Sequence, residues 1–301
     1  MLTELKNMYF QEKMNMDLLL GEMLYKNKAG YKLNRDGHKR WAANKKIAKI
    51  VPNILQRPKD LSLGYHIFSI AQSNKLLEIK KSYENIILDK NHTHITARNG
   101  ESCEPGKASF LMVKNIVRSI PNVLELIDLD IIDLLYSYYN SHFRISYVSA
   151  YRTVHVDENE DKKEAYAYKF HYDRHITDTL KLFILLTDVT LDDGPFTFFD
   201  SMSAKKILAA GYKERDDYGK AKKIIESGEM TKYLTGEKGT AAICDTARCL
   251  HRAGIPKVGR IRDLLIFSFE SFSKPLDIAS DETRKSIEAL IDQENALHKY
   301  K

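Results

Sequence analysis

Hydrophobic positions along the chain follow two different periods, and the change falls near His142. Before it the spacing is helical. Leu5, Met8, Tyr9, Leu18, Leu19 and Met23 recur at helical intervals, and Trp41, Ile47, Ile50 and Val51 mark a second helix that must end before Pro52. Lys107 to Ile120, closed by Pro121, reads as a third helix, and Val123 to Tyr139, with Leu124, Ile127, Ile131, Leu134 and Leu135 on one side, as a fourth. Beyond His142, short runs of β-branched and aromatic residues take over, as strands require. They are Phe143 to Tyr147, Tyr151 to Val156, Tyr166 to Phe170, Lys181 to Leu186 and Phe196 to Phe199. The turn signal Asp192-Asp193-Gly194-Pro195 separates the last two. A polar helical insert, Ala204 to Tyr233, has the character of a lid segment. Thr240 to Cys244 and Arg262 to Ser271 read as strands, and Asp281 to Lys299 as a closing helix.

Helices first and short strands later, with no βαβ alternation, predict an α+β protein with an antiparallel barrel. The expected architecture is a jelly-roll, cupin-like core wrapped by helices. A mainly helical N-terminal region, residues 1–105, would precede a barrel domain over residues 106–301. No internal repeat or low-complexity tract complicates this reading.

Composition narrows the class further. The 301 residues are 43% hydrophobic and 29% charged, the balance of a globular chain with a sizeable core. No run reaches the ~20 apolar residues that a bilayer span needs. Charges interleaved through Met1 to Leu20 are unlike a secretory signal, so a cytoplasmic location is expected. Three cysteines, Cys103, Cys244 and Cys249, are too few for a disulfide framework and read as reduced thiols. The net charge of +6 is scattered; it would suit an anionic small-molecule substrate, but no nucleic-acid or membrane signature accompanies it.

The candidate chemistry lies in Phe170-His171-Tyr172-Asp173. On a strand, residues two apart share a face, so His171 and Asp173 can reach one metal ion from inside a barrel. The third ligand would be His251, eighty positions downstream and just past the strand Thr240 to Cys244. Two histidines and one carboxylate on one face of an octahedron leave adjacent positions open, the arrangement of non-haem Fe(II) oxygenases. Such a site can accept 2-oxoglutarate and O2. The far carboxylate of 2-oxoglutarate calls for an arginine, whose planar fork gives paired, charge-assisted hydrogen bonds. Arg262 is the first choice, and Arg260 the alternative, since either can face inward.

Three blocks of sequence resemble the phytanoyl-CoA dioxygenase-like branch of the Fe(II)/2-oxoglutarate oxygenases. They are His171-Tyr172-Asp173; Leu180-Lys181-Leu182-Phe183 through Leu186-Thr187-Asp188-Val189 to Asp193-Gly194-Pro195-Phe196; and Asp245-Thr246 with His251-Arg252-Ala253-Gly254 and Arg262-Asp263-Leu264-Leu265. The resemblance spans about His142 to Ser273. It implies a double-stranded β-helix, metal ligation by His171, Asp173 and His251, and cosubstrate binding by Arg262. Lys181 and Phe183 are expected in the cosubstrate pocket, whereas Ala253 stands where a polar residue is common in the family. The aspartate at position 173, in place of a small residue, favours hydroxylation over halogenation.

Plainer readings stand beside these. His92 and His94 would share a face but lack a nearby third ligand, and His175 reads as a loop residue. Arg174 and Arg252 read as exposed ion-pairing residues, Tyr147 and Tyr151 as core, and Asp245 as a turn cap. The Cys244–Cys249 spacing lacks the second pair that zinc would need. Two rival functions remain: a barrel that binds a metal or ligand without turnover, and an interaction protein working through its N-terminal part.

Overall fold

The computed structural model of the chain describes residues 61–70, 74–96, 101–139, 142–157, 164, 166–173, 179–272 and 276–298. The helices expected before residue 60 lie outside them. In chain order the strands are β1 (Tyr65–Ser69), β2 (Thr93–Thr96), β3 (Phe110–Val113), β4 (Phe143–Val154), β5 (Leu180–Leu185), β6 (Phe196–Phe198), β7 (Lys232–Leu234), β8 (Thr240–Cys244), β9 (His251–Ala253) and β10 (Ile261–Ser271). The helices are α1 (Asn74–Ile86), α2 (Ile116–Ser119), α3 (Leu129–Tyr139), α4 (Ser201–Ala209), α5 (Lys222–Ser227) and α6 (Asp281–His298).

The strands form two antiparallel sheets, one in the order β1-β8-β5-β10-β4-β3-β2 and the other β7-β6-β9. Period-two alternation along the central strands decides what each face meets. Leu265, Phe267 and Phe269 of β10 join Leu182 and Ile184 of β5 and Val148 and Ala150 of β4 on the outer face. Leu76, Ile79 and Tyr83 of α1, Leu134 and Leu135 of α3, and Ile287 and Ile291 of α6 cover that face. Leu264 and Ile266 alternate to the inner face, with Phe183, Leu185, Ala242 and Cys244. There they meet Phe196, Phe198 and Leu234 of the small sheet, and the Phe183 and Phe196 rings stack at 4.1 Å. Two sheets closed on one apolar layer and backed by helices are the jelly roll that the strand pattern predicted.

Several elements depart from expectation. Residues 107–120 hold β3 and the single-turn α2 instead of one helix. A short apolar run followed by a capped turn satisfies either period, and here the open edge of β4 captures Phe110 to Met112. Tyr166 to Phe170 forms no strand; the Tyr166 hydroxyl caps the Val154 carbonyl instead. The expected division at residue 105 runs between the paired strands β2 and β3, so residues 61–105 contribute both outer strands of the large sheet. Among the described residues, no helix is long and apolar enough to cross a membrane.

Two glycines let the sheets' connections touch. Gly194 sits at φ +64, where a side chain is strained, and a Cβ there would lie 2.4 Å from the Ile255 carbonyl carbon. A Cβ on Gly254 would meet the Pro195 carbonyl oxygen at 2.5 Å. Gly254 donates its N–H to that same oxygen, fixing the chain just after β9 against the turn before β6. Gly254→Ala is expected to destabilise the fold by about 2–3 kcal/mol, because backbone and not a flexible side chain must yield. Chemical denaturation, read as a lower midpoint at unchanged slope, checks this.

Candidate metal centre

His171 and His251 are brought together by backbone pairing. Each donates its N–H to the other's carbonyl, at 2.8 and 2.9 Å, an antiparallel bridge that joins His171 to the first residue of β9. Asp173 N–H donates to the Thr246 carbonyl at 3.0 Å, so the segment runs alongside the loop that leads into β9. The ring centroids of the two histidines stand 4.4 Å apart. Asp173 Oδ1 lies 3.9 Å from His171 Nε2, and its Oδ2 lies 3.7 Å from His251 Nε2.

The ligand atoms of these three residues all lie within 4.8 Å of one another, the one such group among the described residues. Adjacent donors on an ion with bonds of about 2.1 Å stand roughly 3 Å apart, so small side-chain rotations would close the set on one ion. Both histidines present Nε2 to the centre, because Nδ1 of His171 faces the Lys169 carbonyl at 2.8 Å and Nδ1 of His251 faces the Cys249 carbonyl at 2.9 Å. Such backbone contacts fix ring orientation and tautomer.

Electrostatics leave the donors in the forms that ligation needs. Burial, reinforced by the neighbouring His251, lowers the His171 pKa to about 3, so the ring is neutral. Burial lowers His251 in the same direction. Burial opposes the Asp173 charge, but the Lys181 ammonium 2.6 Å from Oδ2, together with His251, outweighs it and holds the carboxyl far below its usual range.

The other expected residues divide clearly. Arg262 lies on the inner face, 0% exposed, with Nη1 donating to the Gly254 carbonyl at 3.4 Å. Its Nε and Nη2 are buried with no hydrogen-bond partner. Burial weighs against its charge, and Tyr151, Tyr166 and Asp263 are near enough to favour it. Arg260 instead is solvent-facing, 3.9 Å from Asp193. Lys181 contacts Asp173, and Phe183 joins the inner apolar layer, whose Phe196 ring lies 5.6 Å from that of His251.

Tyr151 faces the same layer, while Tyr147 packs on the outer side with its hydroxyl 3.5 Å from Asn295. Asp245 caps its turn by accepting from the Arg248 N–H and also takes the Tyr138 hydroxyl. Arg252 lies over the Phe170 ring at 4.7 Å. Cys244 and Cys249 are free and buried. His92 stands near Asp89 and joins no metal-type cluster of the described residues; Arg174 and His175 lie outside those residues.

The hold on the His171 segment is not written in any local pattern around it. Phe170 donates its N–H to the Tyr218 hydroxyl at 2.9 Å, and its carbonyl accepts the Tyr212 hydroxyl at 3.0 Å. Lys169 pairs with Asp216 at 2.6 Å, and Arg215 reaches the His171 ring. All four partners come from one loop of the insert, which supplies the backbone partners that a strand ladder would otherwise give. Two tyrosines six residues apart in an otherwise polar stretch were the available signal.

Neither a family model nor a curated protein sequence matches the chain. Solved structures do. EctD from S. alaskensis, with 2-oxoglutarate and 5-hydroxyectoine, is 14% identical at a TM-score of 0.47, covering 71% of this chain and 74% of that one. HygX from Streptomyces hygroscopicus, with nickel and 2-oxoglutarate bound, is 12% identical at a TM-score of 0.48, covering 74% and 91%. The non-heme alpha-ketoglutarate-dependent epimerase SnoN from nogalamycin biosynthesis is 14% identical at a TM-score of 0.46, covering 69% and 78%.

Tyr218→Phe removes the partner of the Phe170 amide and leaves the side chain's packing intact. The variant is expected to bind Co(II) about tenfold more weakly than the parent, the usual scale for losing a group that orients a ligand. Titration of the Co(II) absorption checks it, and unchanged affinity would assign the tyrosine to packing alone.

Proposed function

We propose that the chain is an Fe(II)- and 2-oxoglutarate-dependent oxygenase of the phytanoyl-CoA dioxygenase-like type, hydroxylating a C–H bond of a small-molecule or carrier-linked metabolite. One observation carries the reading: three metal-type donors converge on the inner side of the barrel, and the same layer holds a buried guanidinium with two unmatched donors. A buried arginine with two unmatched donors is costly, and a carboxylate presented edge-on would satisfy them.

In this reading His171, Asp173 and His251 hold the ion through Nε2, a carboxylate oxygen and Nε2. Arg262 receives the far carboxylate of the cosubstrate, with Tyr151 beside it, while Phe183 and Phe196 wall the space between and exclude water. Bound ferrous iron with 2-oxoglutarate and O2 would supply the oxidising chemistry, releasing succinate and CO2 as oxygen enters the substrate. No side chain is needed as a general base. The protein's work is to keep both histidines neutral, the aspartate charged and the arginine aimed.

His171→Ala and Asp173→Ala are each expected to abolish succinate release in an assay across a metabolite panel with added iron; turnover at the parent rate would refute the ligand assignment. Arg262→Ala should leave metal binding intact and raise the 2-oxoglutarate requirement at least about tenfold, the worth of a charged hydrogen-bond pair. The visible charge-transfer band that forms anaerobically on adding 2-oxoglutarate to the Fe(II) protein reads both steps separately.

A further inference from the structure

Two cations stand on the donor atoms of the proposed centre, and they come from unrelated elements. Lys181, on the inner face of β5, places Nζ 2.6 Å from Asp173 Oδ2. Arg215, in the insert, places Nη2 3.1 Å from Nδ1 and 3.4 Å from Nε2 of His171. A tight turn presents it, closed by paired hydrogen bonds between the backbones of Glu214 and Asp217. Glu164 lies 3.4 Å from Arg215 Nε, yet that buried nitrogen makes no hydrogen bond. Both side chains remain in reach of solvent, Lys181 at 25% and Arg215 at 36% exposure.

Counting acceptors shows what these cations lack. Nδ1 of His171 is committed to the Lys169 carbonyl, and Nε2 is the atom that a metal ion would take. Neither nitrogen then has a lone pair for Arg215, whose guanidinium donates and never accepts. Asp173 Oδ2 is claimed in the same way, so Lys181 would share the carboxylate it contacts with a divalent cation. Asp173 and Glu164 offset part of the charge of these three positive groups, and an anion among them would offset the rest.

The far carboxylate of the cosubstrate goes to Arg262 in the reading above, and Arg262 stands on a different part of β10 from Ser268, the partner of Lys181, six residues on. The inner layer is therefore bracketed by one cationic end at Arg262 and another at Lys181 and Arg215. We propose that Arg215 and Lys181 form an anion seat beside the metal centre, so that the substrate carries a carboxylate or phosphate group near the bond that reacts. This rests on the oxygenase reading for the word substrate, but the seat itself can be tested apart from it.

The test uses full-length protein with Fe(II) and 2-oxoglutarate under argon, titrated with inorganic phosphate, acetate or glycerol. Two readouts run together: the charge-transfer band, and the Arg215 Nε–H resonance, assigned by its loss in Arg215→Gln. Phosphate or acetate should move both while glycerol moves neither, and the tighter of the two anions tells a phosphate-bearing from a carboxylate-bearing substrate. Arg215→Gln and Lys181→Gln should each weaken anion binding at least about tenfold, with Arg215→Lys recovering part of it. Affinity for 2-oxoglutarate should change by less than about twofold in the Arg215 variants. An Arg215 resonance unmoved by either anion overturns the proposal. So does an Arg215→Gln protein that loses 2-oxoglutarate as much as phosphate, because the cation would then serve the cosubstrate. If the resonance responds and no band forms in the parent protein, the seat stands and the oxygenase reading falls.

Discussion

Two hydrogen bonds exchanged between the backbones of His171 and His251 hold the candidate centre together. They join segments eighty residues apart and set two imidazoles side by side at the edge of the inner layer. Every other element of the site is arranged about that bridge. The loop before β9 receives the Asp173 amide, β5 brings Lys181 to the carboxylate, and the insert grips the residues just before His171. On its other side His251, the first residue of β9, pairs with Phe198 of β6, so the bridge is tied to the small sheet as well as to the tyrosine hydroxyls that hold Phe170.

Charge within the barrel is organised around the same point. Burial alone would neutralise both the histidines and the aspartate. The fold allows it for the histidines and reverses it for Asp173 through the Lys181 ammonium together with His251, which leaves three donor atoms in the forms that ligation needs. At the far end of the layer, Arg262 keeps its charge in an apolar setting with one weak carbonyl contact. An arginine so placed is a liability for folding and an asset for binding, and the two roles are inseparable.

Much of this was legible in the sequence, for physical reasons that also explain the failures. Strands β5, β6, β8 and β10 were readable because they are buried on both faces or bounded by strong turns, and α6 because its polar face is long and uninterrupted. The grouping of His171, Asp173 and His251 could be anticipated because metal ligation demands particular residue types, and the fold does bring these three side chains together. Arg262 could be separated from Arg260 only by structure, since alternation permits either one to turn inward. Strands β1 and β2 escaped notice: residues such as His66, Ser69, Thr93 and His94 lack an apolar pattern, and they pair because the sheet's edges capture them. The hold on Phe170 escaped for a different reason. It joins positions more than forty residues apart through tyrosine hydroxyls, which no local period encodes.

The neighbours Arg262 and Asp263 sit on opposite faces of β10, one among the inner aromatics and the other held outside by the fork of Arg152 at 2.7 Å and the Tyr83 hydroxyl at 3.1 Å. A slip of this strand by a single residue would turn the carboxylate into the barrel and the guanidinium against α1, leaving both charges with the wrong company. The central strand is thus locked in alignment by a pair of opposite charges and not by hydrophobic pattern alone, which either alignment would nearly satisfy. Misaligned sheets are discouraged at the one place where an error would also dismantle the binding layer.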